Sequence, residues 1–133
     1  MSDFINNNVH LDSFNTLKRW LENRNKGKTL DEYFKSYGYK TIGIYGAGDL
    51  GNLVYEELKN SDIEIAFFVD RNAEGLHEVD TIPVISVSEI SSAKKVDVLL
   101  ITPIGNYEEI SKSLAVTNPE LPTMSLREAV YEL

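Results

Sequence analysis

Lys40-Thr41-Ile42-Gly43-Ile44-Tyr45-Gly46-Ala47-Gly48-Asp49-Leu50-Gly51-Asn52-Leu53-Val54-Tyr55 is the stretch whose reading decides the fold. Residues 41–45 are β-prone and read as a strand. They run into Gly46-x-Gly48-x-x-Gly51, and Leu50, Leu53, Val54 and Leu58 follow at helical spacing. Strand, glycine turn and helix, in that order, are the setting in which this spacing carries meaning. Gly46 permits a turn too tight for a Cβ. Gly48 lets a pyrophosphate approach the backbone, and Gly51 lets the helix sit close on the strand. The helix then aims its free N–H groups and positive dipole end at the anion. Asp70 closes the next apolar run, residues 63–69, near the roughly 20-residue offset at which a dinucleotide fingerprint places its ribose-binding acid.

These residues favour NAD over NADP, because a 2′-phosphate would meet the Asp70 carboxylate. Arg71 acts the other way, since its guanidinium could take that phosphate. Asp49 opposes any phosphate. It lies at or just before the helix N-terminus, where its carboxylate can cap the free N–H groups itself. Leu50, beside it, opens the helical stripe.

Outward from this stretch the chain reads as alternating strands and helices. Residues 1–10 are polar and Asn-rich, a loose lead-in. Leu11, Phe14, Leu17 and Leu21 then repeat at helical spacing, with Trp20 widening the apolar face. That face is expected to pack on the sheet or on another subunit. Thr29-Leu30-Asp31-Glu32 reads as a capping box for a short helix carrying Tyr33, Phe34 and Tyr37. After the glycine turn and its helix come a second strand (63–69), a polar loop (71–80) and a third strand (81–85) pushed towards an edge by Pro83. A brief helix (86–92) precedes the fourth strand, 96–101, apolar almost throughout as a strand buried on both faces should be. Thr102 and Pro103 follow it, beside the point where ligands of open sheets bind. A helix (107–116), a fifth strand (121–125) and a final helix complete the pattern. The expectation is an α/β fold: a doubly wound, parallel, five-stranded sheet in the order 3-2-1-4-5, with an N-terminal helical pair. The helical extension takes residues 1–39 and the nucleotide-binding domain residues 40–133.

Composition narrows the function classes. The 133-residue chain carries a formal net charge of −8, which repels nucleic acid and anionic membrane surfaces. It contains no cysteine, so thiolate chemistry is excluded. No apolar run is long enough to cross a membrane, and the first residues lack signal-peptide character, so a cytoplasmic location is expected. His10 and His77 stand alone, without metal-ligand spacing, so no metal site is expected. Tyr55-x-x-x-Lys59 has the spacing of a reductase pair but lies in the first crossover helix, away from any nicotinamide. No catalytic residue is assigned.

Three segments in sequence, Gly46-Ala47-Gly48-Asp49-Leu50-Gly51, Phe67-Phe68-Val69-Asp70-Arg71-Asn72 and Asp80-Thr81-Ile82-Pro83-Val84-Ile85, resemble the Rossmann domains of bacterial polysaccharide-biosynthesis enzymes. These include nucleotide-sugar dehydratases and the N-terminal domain of nucleotide-sugar acyltransferases. The resemblance covers about residues 40–104. It implies that Gly46, Ala47, Gly48, Asp70, Arg71 and Asn72 hold NAD or a nucleoside-diphosphate sugar. The chain shows neither the hexapeptide repeats of the acyltransferases nor a second catalytic domain, so it resembles the binding half alone. Two readings stand: a nucleotide-binding module served by a partner's catalysis, or a non-catalytic interaction module in which the helical pair forms a homo-oligomer or docks on a glycan-assembly enzyme.

Overall fold

The apolar runs pair side by side in one sheet. The computed structural model describes residues 2–133, with side chains from residue 8 onward. Its strands are β1 (Thr41–Tyr45), β2 (Glu64–Val69), β3 (Glu78–Val79), β4 (Ile82–Ile85), β5 (Val98–Ile101) and β6 (Thr123–Ser125). They lie in the order β3-β4-β2-β1-β5-β6. All neighbours are parallel except β3 and β4, which are antiparallel. The fold is α/β, with a mixed, mostly parallel sheet of six strands rather than five parallel ones. The extra strand lies inside the stretch expected to be loop, which also holds the short helix α4 (Ala73–Leu76). Pro83 is therefore not at an edge: β3 covers that side, and Pro83 stands opposite Glu78.

The β3–β4 turn explains why that hairpin escaped sequence reading. Its two central residues, Asp80 and Thr81, have φ of 49° and 78°. Such turns are normally signalled by glycine, and a β-branched residue is poorly suited to positive φ. The Tyr55 hydroxyl donates to the Asp80 carboxylate and pins the turn. This accounts for Tyr55, while Lys59 pairs with Glu56 at 2.8 Å. Thr81→Gly is expected to stabilise the fold by about 1 kcal/mol, read as a rise in thermal midpoint. A fall would show that the turn is relaxed as it stands.

Side-chain alternation along the strands builds two cores, one on each face of the sheet. Ile42, Ile44, Phe68, Val98 and Leu100 belong to one core, together with α3 (Asp49–Leu58), α2 (Leu30–Ser36), α6 (Leu126–Glu132) and Trp20 of α1 (Ser2–Asn25). Tyr45, Phe67, Val69, Leu99 and Ile101 belong to the other, beneath the 3₁₀ helix Val87–Ser92 and α5 (Tyr107–Thr117). Every residue of β5 is buried, and each of its four apolar side chains contributes about 1.5–3 kcal/mol.

The N-terminal helices depart most from expectation. Helix covers residues 2–10, where a loose lead-in is expected from the sequence, and Met1 lies outside the described residues. The capping box at Thr29 does not form, because the Thr29 hydroxyl turns to Asp31 instead. Glu57, from the last turn of α3, takes its place. Its carboxylate accepts the Leu30 backbone N–H at 2.8 Å and the Trp20 indole N–H at 3.0 Å, and pairs with Arg24 at 3.2 Å. One buried carboxylate thus ties α1 and α2 to α3. Of the two seats expected for the apolar stripe of α1, the sheet is not the one it takes. Thr16, Trp20 and Asn23 are buried, whereas Leu11, Phe14, Leu17 and Leu21 are exposed. The inward polar groups are satisfied: Thr16 donates to the Asp12 carbonyl at 2.7 Å, and Asn23 donates to the Val130 carbonyl of α6 at 2.8 Å. Tyr33 of α2 donates to Glu132 of α6, and burial together with that bond pushes its phenol well above the ordinary range.

Candidate functional site

The turn between β1 and α3 is shaped by glycines at two positions and left open at a third. Gly46 has φ of 101°, and a Cβ there would lie 2.6 Å from the Thr102 hydroxyl. A Cβ on Gly51 would lie 1.9 Å from the Gly46 carbonyl oxygen. The fold itself demands both. Gly48 differs: its φ is −88°, and nothing lies within 4 Å of the Cβ it lacks. It is the N-cap of α3, and no side chain caps it. Among the described residues, the backbone N–H groups of residues 48–51 meet no acceptor, as the first turn of a helix leaves them.

Asp49 does not fill this hollow. Its side chain is exposed and accepts no hydrogen bond among the described residues. Asp70 comes closest. Its Oδ2 accepts the Ala47 N–H at 2.9 Å and its Oδ1 accepts the Asn72 N–H at 2.9 Å. The carboxylate thereby fixes the turn to the end of β2, yet an ionised carboxylate has about four acceptor positions, so capacity remains on both oxygens. Asn52 braces the turn from the helix side, donating to the carbonyls of Ala47 and Gly48 at 3.0 and 2.7 Å. Thr102 is buried and donates to the Tyr45 carbonyl at 2.8 Å, so it supports the turn from below rather than facing solvent. Leu50 is half-buried and packs against the core under α3.

A cleft of about 380 Å³ opens at the C-terminal edge of the sheet. The ends of β1 and β2 supply Tyr45, Gly46, Asp70 and Arg71, and the segment after β5 supplies Pro103, Asn106, Glu109 and Ile110. Two further depressions flank it on the same edge. One, of about 400 Å³, lies beyond β2 and β4 and shares Arg71; Asn72, His77, Ser86 and Glu89 also line it. The Glu89 carboxyl is held below its ordinary range by hydrogen bonds from the Ser86 backbone and hydroxyl. The other, of about 670 Å³, lies beyond β5 and β6 and shares Glu109; Asp12, Lys112 and Arg127 line it. From β4 to β6 the trough crosses four strand spacings, about 19 Å at the usual separation. Among the described residues, no group of three or more His, Asp or Glu side chains is placed to hold a metal ion.

A model of the C2185-like N-terminal family matches residues 38–120. The chain belongs to that family. No curated protein matches it. The C2185-like segment runs from β1 through α5 and so includes both walls of the central cleft; α1, β6 and α6 lie outside it. Of the residues picked out in sequence, Gly46, Asp70, Arg71 and Pro103 meet in that cleft. Asn72 lines the neighbouring depression, and Thr102 and Leu50 turn inward. Asn106 ends the loop 102–106 that was expected to flank the ligand, whereas Tyr45, Glu109 and Ile110 of the C2185-like segment were not anticipated as lining residues. Glu109 had an adequate local explanation as an acid in the first turn of a helix, and only the topology brings it opposite Asp70.

Proposed function

We propose that the chain is a cytoplasmic nucleotide-binding module with a doubly wound, Rossmann-like fold. On this reading the five parallel strands follow the order 3-2-1-4-5, with β3 as an addition. The module takes NAD(H) or a nucleoside-diphosphate sugar and serves bacterial polysaccharide or nucleotide-sugar metabolism, with catalysis supplied by a partner. The observation that carries this reading is Gly48, a glycine that neither backbone conformation nor packing requires, set beside free N–H groups. A diphosphate explains both the missing side chain and the unused donors. Its ribose would take the free acceptor positions of Asp70, and the shared walls at Arg71 and Glu109 give an elongated ligand room on either side. Two carboxylates in the central cleft, Asp70 and Glu109, favour NAD over NADP.

Gly48→Ser tests this directly. Serine suits an N-cap, so stability should hold or rise slightly. Its hydroxyl would occupy the hollow and satisfy one of the donors, weakening nucleotide binding about tenfold. The measurement is thermal shift and calorimetry with NAD, NADP and a panel of UDP-sugars on both proteins. Ligand binding to the native state must raise apparent stability. No shift at millimolar ligand in the wild type would refute nucleotide binding.

The second reading, a non-catalytic interaction module, is favoured by the outward apolar face of α1, a feature that nucleotide binding leaves unexplained.

A further inference from the structure

We infer that α1 is a self-association element: two copies of the chain pair antiparallel along the stripe Leu11, Phe14, Leu17 and Leu21. The helix is docked on its own domain through a mixed face, Thr16, Trp20 and Asn23, and holds its more apolar stripe away from it. Leu11 is 59% exposed, Phe14 63% and Leu21 60%. Three large side chains so exposed on successive turns, with Leu17 among them, form a contiguous apolar patch of the kind that marks an interface.

Pattern and charge together point to a second copy as the occupant. A two-fold interface must be complementary to itself. The stripe nearly reads the same in both directions, with spacings of three, three and four residues. Reversed on itself about residue 16, it sets Leu11 against Leu21 of the partner subunit and brings Phe14 beside Leu17 of the partner subunit. Charge agrees. The chain as a whole carries −8, so two copies repel on average and association favours a surface that lacks the excess acid. Along the exposed run of α1, Lys18, Arg19 and Arg24 offset Asp12 and Glu22, leaving this surface close to neutral. In the same register Glu22 falls opposite His10 of the partner subunit, whose ring N–H can donate to it. The inference is independent of nucleotide binding, since none of the four stripe residues lines the trough.

Sedimentation equilibrium on the full chain, carried into the high micromolar range, tests the association. The wild type should reach twice the 15.0 kDa chain mass. Phe14→Glu and Leu21→Glu should each remain monomeric, with unchanged circular dichroism and thermal midpoint, because both side chains already face solvent in the single copy. The absence of cysteine makes the geometry testable too. Oxidised Leu17→Cys, near the two-fold axis, should crosslink, and Leu21→Cys, displaced along the helix, should not. A monomeric wild type would overturn the inference and assign the stripe to a different partner. Dimers that survive both glutamate substitutions would place the contact elsewhere, and crosslinking at both cysteines would overturn the antiparallel arrangement.

Discussion

Gly51→Ala should destabilise the protein by about 3 kcal/mol or more, and Gly48→Ala, three residues away in the same motif, should change stability by under about 0.5 kcal/mol. The contrast follows from where each missing methyl would go. At Gly51 it would stand 1.9 Å from the Gly46 carbonyl oxygen, a backbone atom. That carbonyl cannot swing aside, because its residue is held by a 2.7 Å hydrogen bond from its N–H to Val69 and lies against Thr102. Relief requires α3 to lift from the sheet, which would pull Val54 and Leu58 out of the core. At Gly48 the methyl meets open space. In a domain of this size the Gly51 loss corresponds to a fall of about 10 °C in the thermal midpoint. Equal midpoints for the two variants would mean that α3 does not sit against the turn.

Glu57→Ala should remove about 2–4 kcal/mol, measured by urea unfolding. The direct loss is one ion pair to a half-exposed arginine, which counts for little. The larger effect is what remains: the Leu30 N–H and the Trp20 indole N–H both lose their acceptor in a site where the Glu57 side chain is 2% exposed. Glu57→Gln keeps the volume and one acceptor, so it should fall between wild type and alanine. Trp20 is the chain's single tryptophan, and its emission should shift in both variants. A loss under about 0.5 kcal/mol would show that water replaces the carboxylate freely.

How much of this could be read in advance depended on how local the determinant was. The glycine turn was legible because its spacing is a local pattern: Gly46 turns with φ of 101°, and Gly51 answers to the Gly46 carbonyl five residues back. β5 was legible because burial on both faces leaves an unbroken apolar run in the chain itself. The orientation of α1 was not. Periodicity reveals that a helix has an apolar stripe, but not which surface the stripe serves, and the buried Asn23 becomes intelligible only through its bond to Val130, 107 residues away. The Thr29 box failed for the same reason: a motif within four residues was outcompeted by Glu57, 27 residues from Leu30. The β3–β4 hairpin was hidden because Asp80 and Thr81 adopt a glycine conformation without the glycine. Within the site, Asp70 was found as an acid at the right offset, but its bond to Ala47 depends on register between β1 and β2 and has no signature in the chain.

The docking of α1 on α6 also orders events during synthesis. α1 leaves the ribosome well before the groups that fasten it: the Val130 carbonyl receives Asn23 across 107 residues, and Arg127 grips Asp12 at 2.8 Å across 115. Until translation reaches that point, the nascent α1 is held only by its tie to Glu57 of α3, and its inward face lacks the cover that α6 gives it. Contacts of such long sequence separation form late, after the sheet they rest on. The interval between the emergence of α1 and that of α6 is therefore when apolar surface that the folded domain covers stands open, and when aggregation is expected to be easiest.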